Sequence, residues 1–180
     1  MLKQYDDLLA RVRGDGQFHG IRQLVQPNDP LVREVAAVLI QSGDFVRLAQ
    51  DFVNGYTSYQ EEVGDYWDTP GEALRDRYCD CDDSAILLCS ILRNYIPADQ
   101  VFCAIGLHQN GKPIGHMWVQ LNTNGHDRIV ESTSSSRFPP RGTYILSAIF
   151  NDNYCWSTEN GLKEFGLTPV SLEDKVLVPA

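Results

Sequence analysis

The stretch from Cys79 to Leu88, with the apolar run that begins after Asp83, places the tightest constraint on this chain. Ala85, Leu88, Cys89 and Leu92 recur at helical spacing on one face, and Ile86, Leu87 and Ile91 fill the others, so the expected helix is apolar almost all round. Such a helix has no face to offer to water, and the rest of the fold has to enclose it. Its beginning has the opposite character. Cys79-Asp80-Cys81-Asp82-Asp83 puts two thiols and three carboxylates where the helix starts. Unpaired N–H groups and the positive end of the helix dipole favour a thiolate there. The element that must be buried therefore also offers a position for a nucleophilic cysteine.

The flanking segments suggest what encloses it. Asn28-Asp29-Pro30 is a helix start, with Asp29 as cap and Pro30 in the first helical position, followed by Val32, Val35, Ala36, Leu39 and Ile40 on one face and ended by Gly43. Phe45, Leu48, Ala49, Phe52 and Val53 mark a second amphipathic helix that Gly55 closes, so the two form an α-hairpin. The spacing of Leu2, Tyr5, Leu8, Leu9 and Val12 predicts a short helix before Gly14, Gly16 and Gly20, with His19 as a loop residue. Residues 67 to 72 read as a turn. Beyond Pro97, residues 101 to 107, 117 to 121 and 128 to 131 are β-favourable and separated by Asn110-Gly111 and Asn124-Gly125, which predicts three antiparallel strands. Residues 144 to 150 and 175 to 178 are expected to add strands, with a Ser/Pro-rich loop over residues 132 to 142.

Helices first and sheet afterwards is an α+β order, expected as one domain over residues 1 to 180 with a helical part to about residue 60. A chain of 180 residues, 43% hydrophobic and 22% charged, can bury a core of that size. The net charge of -9 gives a phosphate backbone nothing to bind, so nucleic acid is not an expected partner. No run approaches the roughly 20 apolar residues of a membrane span, and the N-terminus lacks the apolar core of a signal peptide. Five cysteines in no framework spacing fit a reducing compartment. The expectation is a cytoplasmic protein without membrane contact, with association with a virus particle as the route that sequence signals would not show.

A thiolate nucleophile needs a base, and the base needs an acceptor on its other ring nitrogen. His116 opens one expected strand in Gly115-His116-Met117-Trp118-Val119, and Glu131 closes the next in Ile129-Val130-Glu131-Ser132-Thr133. A hairpin through Asn124-Gly125 would make them cross-strand neighbours. His108 and His126 lie beside the two turns and are expected at hairpin tips, remote from the site and dispensable for it.

Asp80-Cys81-Asp82-Asp83 with its apolar helix, Gly115-His116-Met117-Trp118-Val119 and Val130-Glu131-Ser132-Thr133 together resemble the three motifs of the transglutaminase-like superfamily, in particular its bacterial, archaeal and phage cysteine-peptidase-like members. Upstream, Trp67, Pro70 and Glu72 match a Trp-x-x-Pro-x-Glu lead-in found in the same members, so the resemblance spans roughly residues 43 to 135. It implies a papain-like core with the cysteine on a central helix and the histidine and acid on the following sheet. It also implies Cys81 as nucleophile, His116 as base and Glu131 as orienting acid, acting on a protein or peptide amide, with an amine as an alternative acceptor. Glu131 stands where many members have Asp, which leaves Asp127 as a second candidate, and Cys79 stands where glycine is common.

The oxyanion of such a reaction would be held by the Cys81 N–H and a second donor. Trp67 can be read as that donor, or as a pocket wall. Asp80 and Asp83 are read as helix caps and Asp82 as a solvated carboxylate of the first turn. No cofactor is expected, and no metal. Cys79, Cys81 and His116 lack the second ligand pair of a structural zinc site, and Asp80, Asp82 and Asp83 lack the glycine-hinged loop of a calcium site. A catalytically silent peptide-binding module of the same fold is the main rival reading, and a metal-binding protein the lesser one.

Overall fold

The computed structural model describes residues 1–61, 63–133 and 142–172. Its strands are β1 (Lys3–Tyr5), β2 (Asp7–Ala10), β3 (His19–Gly20), β4 (Ser58–Tyr59), β5 (Tyr78–Cys79), β6 (Val101–Gln109), β7 (Pro113–Thr123), β8 (His126–Val130), β9 (Thr143–Phe150), β10 (Cys155–Ser157) and β11 (Thr168–Val170). Its α-helices are α1 (Pro30–Leu39), α2 (Phe45–Tyr56), α3 (Pro70–Asp76), α4 (Cys81–Leu92) and α5 (Glu159–Glu164).

Local chemistry explains most of these boundaries. Asp29 accepts from the Leu31 and Val32 N–H groups at the head of α1, where Pro30 needs no partner for a missing donor. Asp44 caps α2 through the Arg47 N–H. Gly55 does not end α2 as expected; the helix runs through it to Tyr56, and extended Thr57 closes it by donating to the Val53 carbonyl. The expected turn at residues 67 to 72 is in part a helix start, because Thr69 and Glu72 form a reciprocal capping box and launch α3.

α4 lies where its composition requires. Every residue from Asp83 to Leu92 is buried, with α1, α2 and α3 packed on one side and β6 and β7 on the other. The six-stranded antiparallel sheet runs in the order β1-β10-β9-β6-β7-β8. The β7–β8 turn uses Asn124 (φ 54°) and Gly125 (φ 78°), the two successive positive-φ residues that a two-residue hairpin demands. At Gly106 the register with β9 shifts, and a Cβ there would strike the Ile145 carbonyl and the Trp118 ring, so only glycine lets the two strands close up.

Residues 3 to 10 correct the sequence reading. They form strands, β1 on the sheet edge against β10 and β2 between β11 and β3, in place of a helix. Leu8, Ala10 and Val12 are buried at alternate positions, and this two-residue period prevails over the looser helical spacing of the same segment. The strand expected at residues 175 to 178 and most of the 132 to 142 loop fall outside the described residues. Among the described residues no helix is long and apolar enough to cross a membrane.

The N-terminal segment also fastens the lead-in to α4. The Arg13 guanidinium donates to both Glu72 carboxylate oxygens (2.8 and 2.9 Å) and to the Trp67 carbonyl (2.6 Å), and the Trp67 N–H donates to the Val12 carbonyl (2.8 Å). Arg13 holds the Glu72 carboxyl down at about 2, aided by the Thr69 donors. A carboxyl with a depressed value stabilises the fold above its unfolded value near 4.5 and ceases to do so as pH falls through about 2. Denaturation between pH 5 and 2 should therefore show an acid-range loss, of about 1–2 kcal/mol after allowance for solvent screening, that is absent in Glu72→Gln. Identical slopes for the two proteins would show the clamp to be energetically idle.

Candidate active site

Cys81 is the first residue of α4, and the geometry around it is set by backbone donors that a helix start leaves unpaired. Asp80 is the N-cap: its carboxylate accepts from the Asp82 N–H (3.1 Å), and Asp80 and Asp83 complete a capping box. Asp83 does more than cap. Fully buried, it accepts the Asp80 N–H on one oxygen (3.2 Å) and the Asp68 N–H on the other (2.7 Å), tying the residue after Trp67 to the residue before Cys81. Burial and the neighbouring Asp80 charge push the Asp83 carboxyl up to about 8, against the pull of those two N–H groups. Parallel pairing of β4 with β5 holds the chain just ahead of Asp80.

His116 lies on β7, its side chain wholly buried, and its Nε2 is 2.9 Å from Glu131 Oε2. Extending the β7–β8 register places Thr133 opposite His116, so the His116–Glu131 contact is diagonal across the pair and not directly cross-strand. The extra methylene of glutamate over aspartate serves that longer reach. Glu131 is held at both carboxylate oxygens and at its carbonyl: Oε1 accepts from the Thr133 N–H (3.1 Å), Oε2 also accepts from the Tyr144 hydroxyl (2.7 Å), and the carbonyl accepts from the Gln50 amide of α2 (2.8 Å).

Cys81 and His116 share one cleft of about 300 Å³, walled by Trp67, Ile105, Met117 and Phe165 and edged by Glu61, Asp65, Asp80 and Asp82. The Trp67 ring stacks on Phe150 with centroids 6.3 Å apart, the role of a wall anchored in the core. Burial pushes the Cys81 thiol well up, and Asp82 and Asp80 push it further, while the Met117 backbone N–H pulls it down. Asp82 departs from its expected solvated state. One of its oxygens is buried without a hydrogen-bond partner among the described residues, and burial with the Asp80 and Asp83 charges raises its carboxyl far above the ordinary range. Among the described residues no basic side chain pairs with Asp80, Asp82 or Asp83.

The structure separates the remaining candidates. Asp127 is exposed on β8 and accepts from Asn122 (3.0 Å), away from His116. Cys79 is buried in β5, outside the cleft lining, with its thiol raised by burial. All five cysteines are free. His126 is exposed at the turn as expected. His108 is not at a remote tip: it is buried, because β6 runs on to Gln109, and its ring packs 4.8 Å from Tyr144 and 5.9 Å from His116. Tyr144 and the tethering role of Asp83 were not legible in the sequence, since neither follows a motif or a periodicity.

No protein-family model matches the sequence, and no curated protein matches it. Solved structures do. Legionella pneumophila LapG aligns with a TM-score of 0.52 and 22% identity over 81% of this chain and 90% of that one. Its EGTA-treated form gives 0.52 and 22% over 77% and 84%, and its calcium-bound form 0.51 and 22% over 77% and 86%. The likeness establishes the fold: this chain has the transglutaminase-like, papain-like α+β architecture that the sequence motifs implied.

Proposed function

We propose that the protein is a cysteine peptidase-like enzyme that acts on a protein or peptide amide through Cys81, His116 and Glu131. The observation that carries this reading is the His116–Glu131 contact, buried and opened onto the same cleft as a helix-start cysteine. With Glu131 ionised, Nε2–H donates to it and Nδ1 becomes the reacting nitrogen of His116. In the proposed reaction the Cys81 proton passes to His116 and the sulfur adds to the amide carbonyl. The oxyanion is held by the Cys81 N–H at the helix start and a second donor. Collapse expels the amine with the His116 proton and leaves a thioester, which water or a second amine resolves. The apolar walls exclude water from the forming bond, and the acidic rim favours substrates with a cationic group near the scissile amide.

Intact-mass and fragment analysis of glutamine-containing peptides incubated with the protein, with and without a primary amine, distinguishes the outcomes. Cleavage, deamidation or amine incorporation that vanishes in Cys81→Ala and falls at least about 10³-fold in His116→Ala is the expected result. Peptides unchanged across the whole set, or turnover retained in Cys81→Ala, would favour the silent binding module.

A divalent cation is the second component, favoured by the unpartnered buried oxygen of Asp82. Calcium is bound in one of the LapG structures. Here Asp80 and Asp82 would hold it: donor atoms of Asp80, Cys81 and Asp82 lie within 4.8 Å of one another, and hard carboxylate oxygens suit calcium better than the sulfur does. Such an ion would supply the positive charge that the acidic helix start otherwise lacks. Millimolar calcium should raise the thermal midpoint by about 5 °C, EGTA should reverse it, and Asp82→Asn should remove the response. A midpoint indifferent to calcium would contradict the site.

A further inference from the structure

Glu131 Oε2 receives two hydrogen bonds, from His116 Nε2 at 2.9 Å and from the Tyr144 hydroxyl at 2.7 Å. The two donors come from different strands. β7 carries His116 and β9 carries Tyr144, on opposite sides of β6, and the acid they share lies just past the end of β8. The Tyr144 ring is fixed by its own packing, 5.0 Å from Trp118 and 4.8 Å from His108. Burial and the adjacent Glu131 charge hold the hydroxyl in its protonated form, so it is a donor across the working pH range.

We infer that Tyr144 is a positioning residue that sets the proton affinity of His116 by sharing the Glu131 oxygen on which His116 relies. The inference rests on the Cys81-His116-Glu131 reading and adds a fourth group to it. A glutamate side chain has one more rotatable bond than an aspartate, and Tyr144 with the Thr133 N–H fixes the longer acid in a single pose. A charge-assisted hydrogen bond from a neutral hydroxyl also spreads the carboxylate charge and weakens its pull on the imidazole proton. Loss of the hydroxyl leaves Thr133 and His116 to hold Glu131 in place while its charge concentrates on the remaining partners. The other groups around His116 are the His108 ring from β6, the Trp118 ring on its own strand, and Cys81 with Asp80 and Asp82 across the cleft. None of these shares Glu131 Oε2 among the described hydrogen bonds.

The test is an NMR titration of the His116 imidazole in the full chain, which needs no turnover. Four proteins are compared: wild type, Tyr144→Phe, Glu131→Gln, and the two substitutions together. Tyr144→Phe keeps the ring and its packing, so the fold is retained. Its His116 titration midpoint should rise by about half a pH unit, whereas in the Glu131→Gln background the same substitution should move it by less than about 0.2. A midpoint in Tyr144→Phe that is unchanged or lower, or a rise of equal size in both backgrounds, would overturn the inference. Failure of peptide turnover with this titration pattern intact would instead count against the enzymatic reading alone.

Discussion

The cleft is held in register by one buried carboxyl group that is not part of its lining. Asp83 is fully buried inside the first turn of α4, and its two oxygens accept N–H groups from two separate segments, Asp68 in the lead-in and Asp80 at the N-cap. A buried carboxyl costs several kcal/mol unless its lone pairs are satisfied, and both oxygens have a backbone donor here. The return is registration. Trp67, one residue before Asp68, and Cys81, one residue after Asp80, are set on the same cleft by one side chain. Arg13 completes the frame from outside, pinning the Trp67 carbonyl and Glu72 together.

That frame creates an electrostatic problem. Burial disfavours the Cys81 thiolate, and Asp82 and Asp80 disfavour it further. Burial, and after it the mutual repulsion of the acids, raises the Asp82 and Asp83 carboxyls in turn. The Met117 N–H opposes them from β7. A cation on Asp80 and Asp82, as proposed, would tip this balance toward the thiolate.

The parts legible in the sequence were those with a strong local cause. The all-apolar run after Cys81 forced a central helix, Asn124-Gly125 fixed the turn of the β7–β8 hairpin, and Asp29-Pro30 fixed the start of α1. His116 and Glu131 were nameable because that hairpin brings the two strands together. The N-terminal strands were missed because Leu2, Tyr5, Leu8, Leu9 and Val12 follow a helical spacing, while the alternation of Leu8, Ala10 and Val12 is short and gains its meaning only from pairing with residues 155 to 157 and 168 to 170. His108 was misplaced because β6 is two residues longer than its apolar pattern indicated. Tyr144 could not be found at all, since its partner lies 13 positions earlier in the chain and no spacing rule links a strand start to an acid beyond another strand's end.

Of the five thiols, Cys81 alone lines the cleft among the described residues, as the proposed nucleophile must. Limited alkylation of the native protein with iodoacetamide, followed by peptide mapping of every cysteine, measures this directly. One modified residue is expected, Cys81, with Cys79, Cys89, Cys103 and Cys155 labelled only after unfolding, as their burial requires. Preferential labelling of Cys79, or no labelling of Cys81 until the protein is denatured, would contradict it.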